Sequence, residues 1–323
     1  MKTARSMSST GDRPEPWRLE ELEPYYETYY GAAYLGDAVE LIKLIDDKSV
    51  DLIITSPPFA LNRKKEYGNV EPERYVSWFS PFAEEFRRVL APRGSLVIHL
   101  GGSWSEGEPV KTLYTYELLL SLCKEYGFKL AQDFYWYNPA KLPSPAEWVT
   151  VRRVRVKDAV DFIWWLSQSS NPRADNKRVL KPYSESMLEL FEKGYKPLLR
   201  PSGHDISSKF GKRNGGAIPP NIIIAANTSS NDRYLRLCRE HGVKPNPARY
   251  PEKIPEFFIK FLTNEGDKVL DPFGGSNTTG YVAEKLGRRW MCFELREEYL
   301  RGSMFRFQAH QILKSKVEYP IRD

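Results

Sequence analysis

Ser56-Pro57-Pro58-Phe59 places one hydroxyl, two imide carbonyls and a flat ring directly after the apolar run Val50 to Thr55. Neither proline can propagate a strand or a helix, because each fixes φ and lacks a backbone donor. The loop is therefore rigid and rich in acceptors. Acceptors held beside an aromatic face suit a planar ring that carries an amino group. Such an amine is a poor nucleophile, since its lone pair is delocalised into the ring. Hydrogen bonds from both amino protons to Ser56 Oγ and the Pro57 carbonyl would localise that pair. Chemistry of this kind rests on positioning and fixed dipoles, and proximity alone is worth ~7 kcal/mol or more. An unassisted serine hydroxyl has too high a pKa to act as a formal base.

A second constellation is Asp271-Pro272-Phe273-Gly274-Gly275-Ser276-Asn277, after another buried-strand pattern and before a helix pattern. Glycines there permit positive φ and close backbone approach, and Asn277 can cap the helix. Glu294 follows 23 residues later (294 − 271), at the end of the next strand. That is where a dinucleotide fold grips ribose hydroxyls. The pattern is not G-x-G-x-x-G, and Asp271 sits where a pyrophosphate would lie. A nucleoside carrying a cationic amino acid fits better: S-adenosylmethionine offers an ammonium, a sulfonium, a ribose diol and an adenine, on which Phe273 could pack.

The elements that must position these groups alternate. Helix patterns cover 38–45, 72–90, 112–126, 255–262 and 277–286, and strand patterns cover 50–55, 94–100, 130–137, 268–273 and 289–295. This predicts an α/β fold with a mostly parallel sheet and helices on both faces. The middle of the chain, 138–249, is rich in Pro, Asn, Ser, Gly and basic residues, with short strand patterns at 148–156, 159–166 and 221–225. The chain thus divides into a polar arm (1–16), a first half of the α/β unit (17–137), a basic loop-rich region (138–249) and a second half (250–323).

The net charge of +6 is unevenly distributed. Residues 151–220 hold fourteen Lys and Arg against seven Asp and Glu, a balance of +7 that leaves about −1 for the remainder. A cationic segment of this kind is the footprint of a polyanion. Arg152, Arg153, His204, Lys212 and Arg213 are the candidate contacts, each able to meet a phosphate or a base edge. Three widely spaced cysteines argue against a disulfide framework or a zinc site, so no metal is expected. No apolar stretch is long enough to span a membrane and no secretory signal is visible, which points to the cytoplasm.

Ser56-Pro57-Pro58-Phe59 resembles the catalytic signature of the amino-methylating DNA methyltransferases, in the Ser-Pro-Pro-aromatic form of N4-cytosine enzymes. Adenine-N6 enzymes more often carry Asp or Asn in the first position. Asp271-Pro-Phe-Gly-Gly275 resembles their cofactor loop. The catalytic motif precedes the cofactor motif with the basic region between them, the order of the beta class. The resemblance spans most of the chain and implies a Rossmann-like fold with a target-recognition region. It also implies S-adenosylmethionine as methyl donor, double-stranded DNA as partner and a flipped cytosine as target, in a restriction–modification system. The palindrome CAGCTG, modified at its inner cytosine, is implied by resemblance alone.

Three further elements carry over. Tyr34-Leu-Gly36-Asp37 resembles the Gly-Asp element at the adenine amino group, although Asp37 reads equally as a helix N-cap. Tyr250-Pro-Glu-Lys253-Ile-Pro255 resembles the element that closes the methionine end, although Lys253 also reads as an exposed first-turn residue. Tyr135-Trp136-Tyr137-Asn138-Pro139 resembles the lining of the flipped-base pocket, although Trp136 and Tyr137 also read as core. An enzyme that treats one strand of a half-methylated palindrome at a time would act as a monomer without an obligate protein partner. Adenine-N6 transfer, action on RNA and a catalytically silent DNA-binding module are the competing readings.

Overall fold

In chain order the elements are β1 (Tyr26–Glu27), β2 (Gly31–Leu35), α1 (Ala38–Ile42), β3 (Val50–Thr55), α2 (Tyr75–Val89), β4 (Leu90–Leu100), α3 (Tyr114–Lys124), β5 (Lys129–Tyr137), β6 (Val160–Ser167), α4 (Glu185–Lys193), β7 (Ile222–Ile224), α5 (Arg233–Glu240), α6 (Lys253–Leu262), β8 (Lys268–Asp271), α7 (Thr278–Lys285), β9 (Arg289–Glu294), α8 (Glu297–Ser303) and β10 (Lys314–Ser315). The computed structural model describes residues 15–61, 68–194, 212–227 and 232–318. Among these, no helix is long and apolar enough to cross a membrane.

All ten strands form one sheet in the order β10-β1-β2-β9-β8-β3-β4-β6-β5-β7. The five central strands, from β2 to β4, are mutually parallel. Such strands must be apolar on both faces, because helices cover each side. β3 shows this directly. Ile53 packs with Tyr75, Phe79, Phe86 and Leu118 of α2 and α3. Its neighbours Leu52 and Ile54 face the other way, packing with Phe258, Ile259 and Val282 of α6 and α7. In α2 the buried residues Tyr75, Phe79, Phe82 and Phe86 recur at helical spacing, forming one continuous aromatic stripe.

β6 and β7, from the basic middle region, join the same sheet, with β6 seated between β4 and β5. The strand pattern at 148–156 is not realised: Glu147–Val151 forms a π-helical turn. Val151, Val154 and Val156 are exposed, and β6, not this segment, pairs with β4 and β5. β-branched residues without a strand to pair with do not make a strand. α1 stops at Ile42 rather than 45. α4, α5 and α8, along with β1, β2 and β10, are elements that the pattern reading did not anticipate.

Candidate active site

β3 and β8 are neighbours in the sheet, yet the chain leaves β3 toward β4 and leaves β8 toward β9, on opposite sides. This is a topological switch point, and the crevice beyond the carboxyl ends of such strands is where open α/β sheets bind ligands. The two motifs extend from these two ends. Their junction is closed by Thr55 Oγ1, which donates to Asp271 Oδ1 at 2.8 Å.

The Ser-Pro-Pro-Phe loop is held on three sides. The Tyr75 hydroxyl donates to the Pro58 carbonyl at 2.8 Å, so that carbonyl ties the loop to α2. Ser56 and Pro57 line the cavity wall beside it. The Phe59 ring meets His99 edge-on at 5.4 Å and lies against Gly101. A Cβ at Gly101 would fall 2.6 Å from that ring, so the residue after β4 must be glycine for Phe59 to sit where it does.

Around these groups opens a cavity of about 420 Å³ whose wall includes Asp37, Ser56, Phe59, Phe273, Gly275 and Glu294. Gly275 has φ of +54°, and a Cβ there would meet Asn246 Nδ2 at 2.5 Å. Its N–H donates to Glu294 Oε2 at 2.8 Å, and the Arg296 N–H donates to Oε1 at 2.9 Å. The Glu294 carboxylate thus keeps acceptor capacity for the cavity. Burial raises the Glu294 carboxyl above its ordinary range, with the backbone N–H groups of Arg296, Gly275 and Leu295 pulling it back. Phe273 packs against Phe82 at 4.9 Å and Trp78 at 5.9 Å, holding its ring in the wall. Asp37 caps α1 by accepting from Val39 N at 2.8 Å, so the cap reading holds and the residue also lines the cavity.

Asp271 is more occupied than its sequence position suggests. Its carboxylate accepts from Thr55 Oγ1, from Phe273 N at 3.2 Å, from Thr279 Oγ1 at 2.6 Å and from the Tyr250 hydroxyl at 3.4 Å. The residue is buried, and desolvation raises its carboxyl despite these donors. It ties β3, β8 and α7 into one frame at the cavity floor.

Several expected residues lie elsewhere. Lys253 is outside the cavity wall, where its Nζ donates to the Ile224 carbonyl at 2.9 Å; the first turn of α6 directs it to β7. Trp136 is core: its indole donates to Ala225 O at 2.9 Å. Arg152 is exposed, paired with Glu147 at 2.7 Å and lying over the Trp148 ring at 4.7 Å. Arg153 is exposed with φ of +55°. Lys212 and Arg213 are exposed, with Arg213 over the Phe191 ring at 5.3 Å. His204 lies outside the described residues.

The sequence reading missed other parts of the site. Arg249 and Asn246 contribute to the wall, and Arg249 reaches Asp232 at 3.5 Å. A half-buried guanidinium there is suited to a carboxylate. His99 and Asp161 lie behind Ser56. A lone histidine near the end of an otherwise apolar strand, Leu96-Val-Ile-His99-Leu100, was the available signal.

Comparison with known proteins settles the family. The profile described as DNA methylase matches residues 50–305. The chain belongs to the DNA methylase family. Within that family it is 50% identical over 298 residues, 91% of this chain and 89% of the relative, to the type II methyltransferase M.PvuII of Proteus hauseri. It is 26% identical to the type II methyltransferase M.ScaI of Streptomyces caespitosus, covering 89% of this chain and 84% of that one. A solved structure named PvuII DNA methyltransferase (cytosine-N4-specific) superposes with a TM-score of 0.73 and 42% identity, covering 92% of each chain. The mostly parallel sheet with helices on both faces is therefore the fold of a DNA methylase. The wall of the cavity fits a nucleoside methyl donor: a half-buried carboxylate with spare acceptor capacity, a glycine cradle and a ring.

Proposed function

We propose that this DNA methylase transfers a methyl group from S-adenosylmethionine to N4 of a cytosine flipped out of duplex DNA, as the modifying partner in a restriction–modification system. The observation that carries this reading is the placement of Ser56 and Pro57 in the same cavity wall as Gly275 and Glu294. S-adenosylmethionine, when bound, supplies an electrophilic methyl carbon on a cationic sulfur. The chain does the rest by holding groups still. Glu294 accepts the ribose hydroxyls, Phe273 packs on the adenine, Asp37 meets its amino group, and Arg249 faces the carboxylate of the methionine end. Asp271 and the Gly274–Gly275 turn frame that end. Ser56 and Pro57 draw the two amino protons of the base out of its plane, and Phe59 gives the base a stacking face that offsets part of the few kcal/mol of flipping. Serine at position 56, together with the name of the 42% identical structure, favours cytosine over adenine.

Arg152, Arg153, Lys212 and Arg213 are exposed cations of the basic region and serve as phosphate or base-edge contacts, with His204 proposed alongside them. The enzyme acts as a monomer in the cytoplasm, since a half-methylated palindrome presents one target strand at a time.

The test is to incubate the protein with S-adenosylmethionine and a CAGCTG duplex, digest the DNA to nucleosides and identify the methylated one. N4-methylcytosine is the expected product. N6-methyladenine would replace this reading with adenine transfer, and cofactor binding without transfer to any duplex would leave only a DNA-binding module.

Glu294→Gln provides a test of the cofactor half. Ribose hydroxyls donate to the ionised carboxylate, so acid that protonates Glu294 must weaken binding. Because burial has raised this carboxyl, the loss begins at higher pH than for an exposed glutamate. Calorimetric titration of S-adenosylmethionine is expected to show roughly 10- to 100-fold weaker binding by the variant at pH 8, the worth of a hydrogen bond to a charged group. The difference should narrow as pH falls toward 5. A constant gap across that range would remove Glu294 from the ribose site.

A further inference from the structure

Behind the reactive loop lies a line of polar groups that the proposed chemistry has not yet used. Ser56 Oγ is 2.9 Å from His99 Nδ1. On the far side of the ring, His99 Nε2 is 3.7 Å from Asp161 Oδ2, and the other Asp161 oxygen accepts from Lys141 Nζ at 2.7 Å. His99 comes from β4, Asp161 from β6 and Lys141 from the segment after β5. β6 makes this possible by pairing antiparallel to β4, with His99 opposite Ile163, which brings Asp161 near the same end of the sheet.

The histidine is enclosed. It is 5% exposed, and its buried Nε2 has no hydrogen-bond partner among the described residues. Trp136 packs on its ring at 5.2 Å, Phe59 at 5.4 Å and Tyr250 at 6.1 Å. The titratable or charged groups facing it are therefore Asp161, Tyr250 and, one position further out, Lys141. An isolated buried polar nitrogen is costly to maintain. Directed at a carboxylate, it is placed to carry a charge.

We propose that His99 takes up, through Ser56, the proton that the target amine must release, and that Asp161 holds the resulting imidazolium. This rests on the reading of Ser56 as the group that meets the amine. Methylation adds an N–C bond to a nitrogen that already carries two hydrogens, so one N–H bond must break. That proton passes to Ser56 Oγ as the Ser56 O–H proton passes to His99 Nδ1. No electrons change hands beyond the methyl transfer, and the imidazolium later returns its proton to solvent. Nδ1 can accept only in the tautomer with hydrogen on Nε2, the nitrogen that faces Asp161. Asp161 is suited to its part: burial pushes its carboxyl up, but His99 and Lys141 more than offset this and hold it below the ordinary range. A serine hydroxyl too weak to act alone thereby gains a base, as nucleophilic hydroxyls do elsewhere. His99 is a positioning residue in this scheme, since it acts through Ser56.

The test is the single-turnover methyl-transfer rate against pH, with saturating S-adenosylmethionine and duplex DNA, for the full chain and two variants. The wild-type rate should rise with pH and then level off. His99→Gln, which can still hydrogen-bond to Ser56, should lower the plateau by roughly 10²-fold and abolish the acidic limb, with S-adenosylmethionine affinity within about threefold of wild type. Asp161→Asn should move the limb to lower pH, because removing a carboxylate disfavours imidazolium. A His99→Gln enzyme that keeps the limb, or keeps its rate within about threefold, would overturn the relay and leave His99 as a spacer. If His99→Gln failed to bind cofactor, the Asp161→Asn limb decides, since that variant retains the imidazole; an unmoved limb would be fatal. A wild type unable to methylate any duplex would overturn the reading of Ser56 itself, an outcome distinct from active enzyme with an unmoved limb.

Discussion

Ser56→Ala is expected to lower the single-turnover transfer rate by roughly 10²- to 10³-fold, the loss that follows removal of one preorganised hydrogen-bond partner from a reacting group. The variant loses the only side-chain acceptor of the reactive loop and, with it, the link to His99 at 2.9 Å. Cofactor affinity should change by less than about threefold, because the groups assigned to the nucleoside sit on the β8 and β9 side of the cavity. Equilibrium binding of S-adenosylmethionine, measured beside quenched-flow transfer, separates the two effects. Loss of affinity equal to the loss of rate would show that Ser56 belongs to the cofactor half. Stability should hardly move, since the residue is only partly buried and its loop remains tied through Pro58 and Tyr75.

Asp271→Ala is expected to behave differently. It removes the acceptor for Thr55, Thr279, Tyr250 and the Phe273 N–H, all in buried or half-buried surroundings. At about 1–3 kcal/mol for each donor left unpaired, some of which can re-pair, the loss of stability should be about 3–5 kcal/mol. That corresponds to a fall in Tm of about 4–7 °C, measurable by thermal denaturation without ligand. Cofactor binding should weaken in parallel, because the Gly274–Gly275 turn loses its anchor. Unchanged Tm with abolished binding would instead make Asp271 a direct ligand contact, the role its place in the sequence suggested.

Much of the candidate site was legible because its motifs are local in sequence. Ser56-Pro-Pro-Phe and Asp271-Pro-Phe-Gly-Gly each follow a buried apolar run, and strand periodicity places such runs at the centre of a sheet. Glu294, the carboxylate proposed for the ribose, was singled out by its distance from Asp271. What escaped was long-range. Nothing near Asp161 announces that β6 will turn back between β4 and β5, so its partnership with His99 could not be read. Arg249 and Asn246 belong to a stretch without periodicity, and only the docking of that stretch on the Gly275 turn brings them to the cavity. The segment 148–156 was misread for the converse reason. Its valines carry strand propensity, but the neighbours that would pair with them are taken by β6.

The Thr55–Asp271 contact joins residues 216 positions apart, and the β3–β8 pairing behind it is equally remote. During synthesis the reactive loop must wait for some two hundred further residues before its other wall exists. Pairings this distant close late and slowly, because loop entropy is paid before any contact rewards it. A ligand whose pocket forms only with that closure cannot help the chain find its fold. It can only delay the reverse event, so S-adenosylmethionine should lengthen the lifetime of the folded enzyme while leaving its refolding rate unchanged.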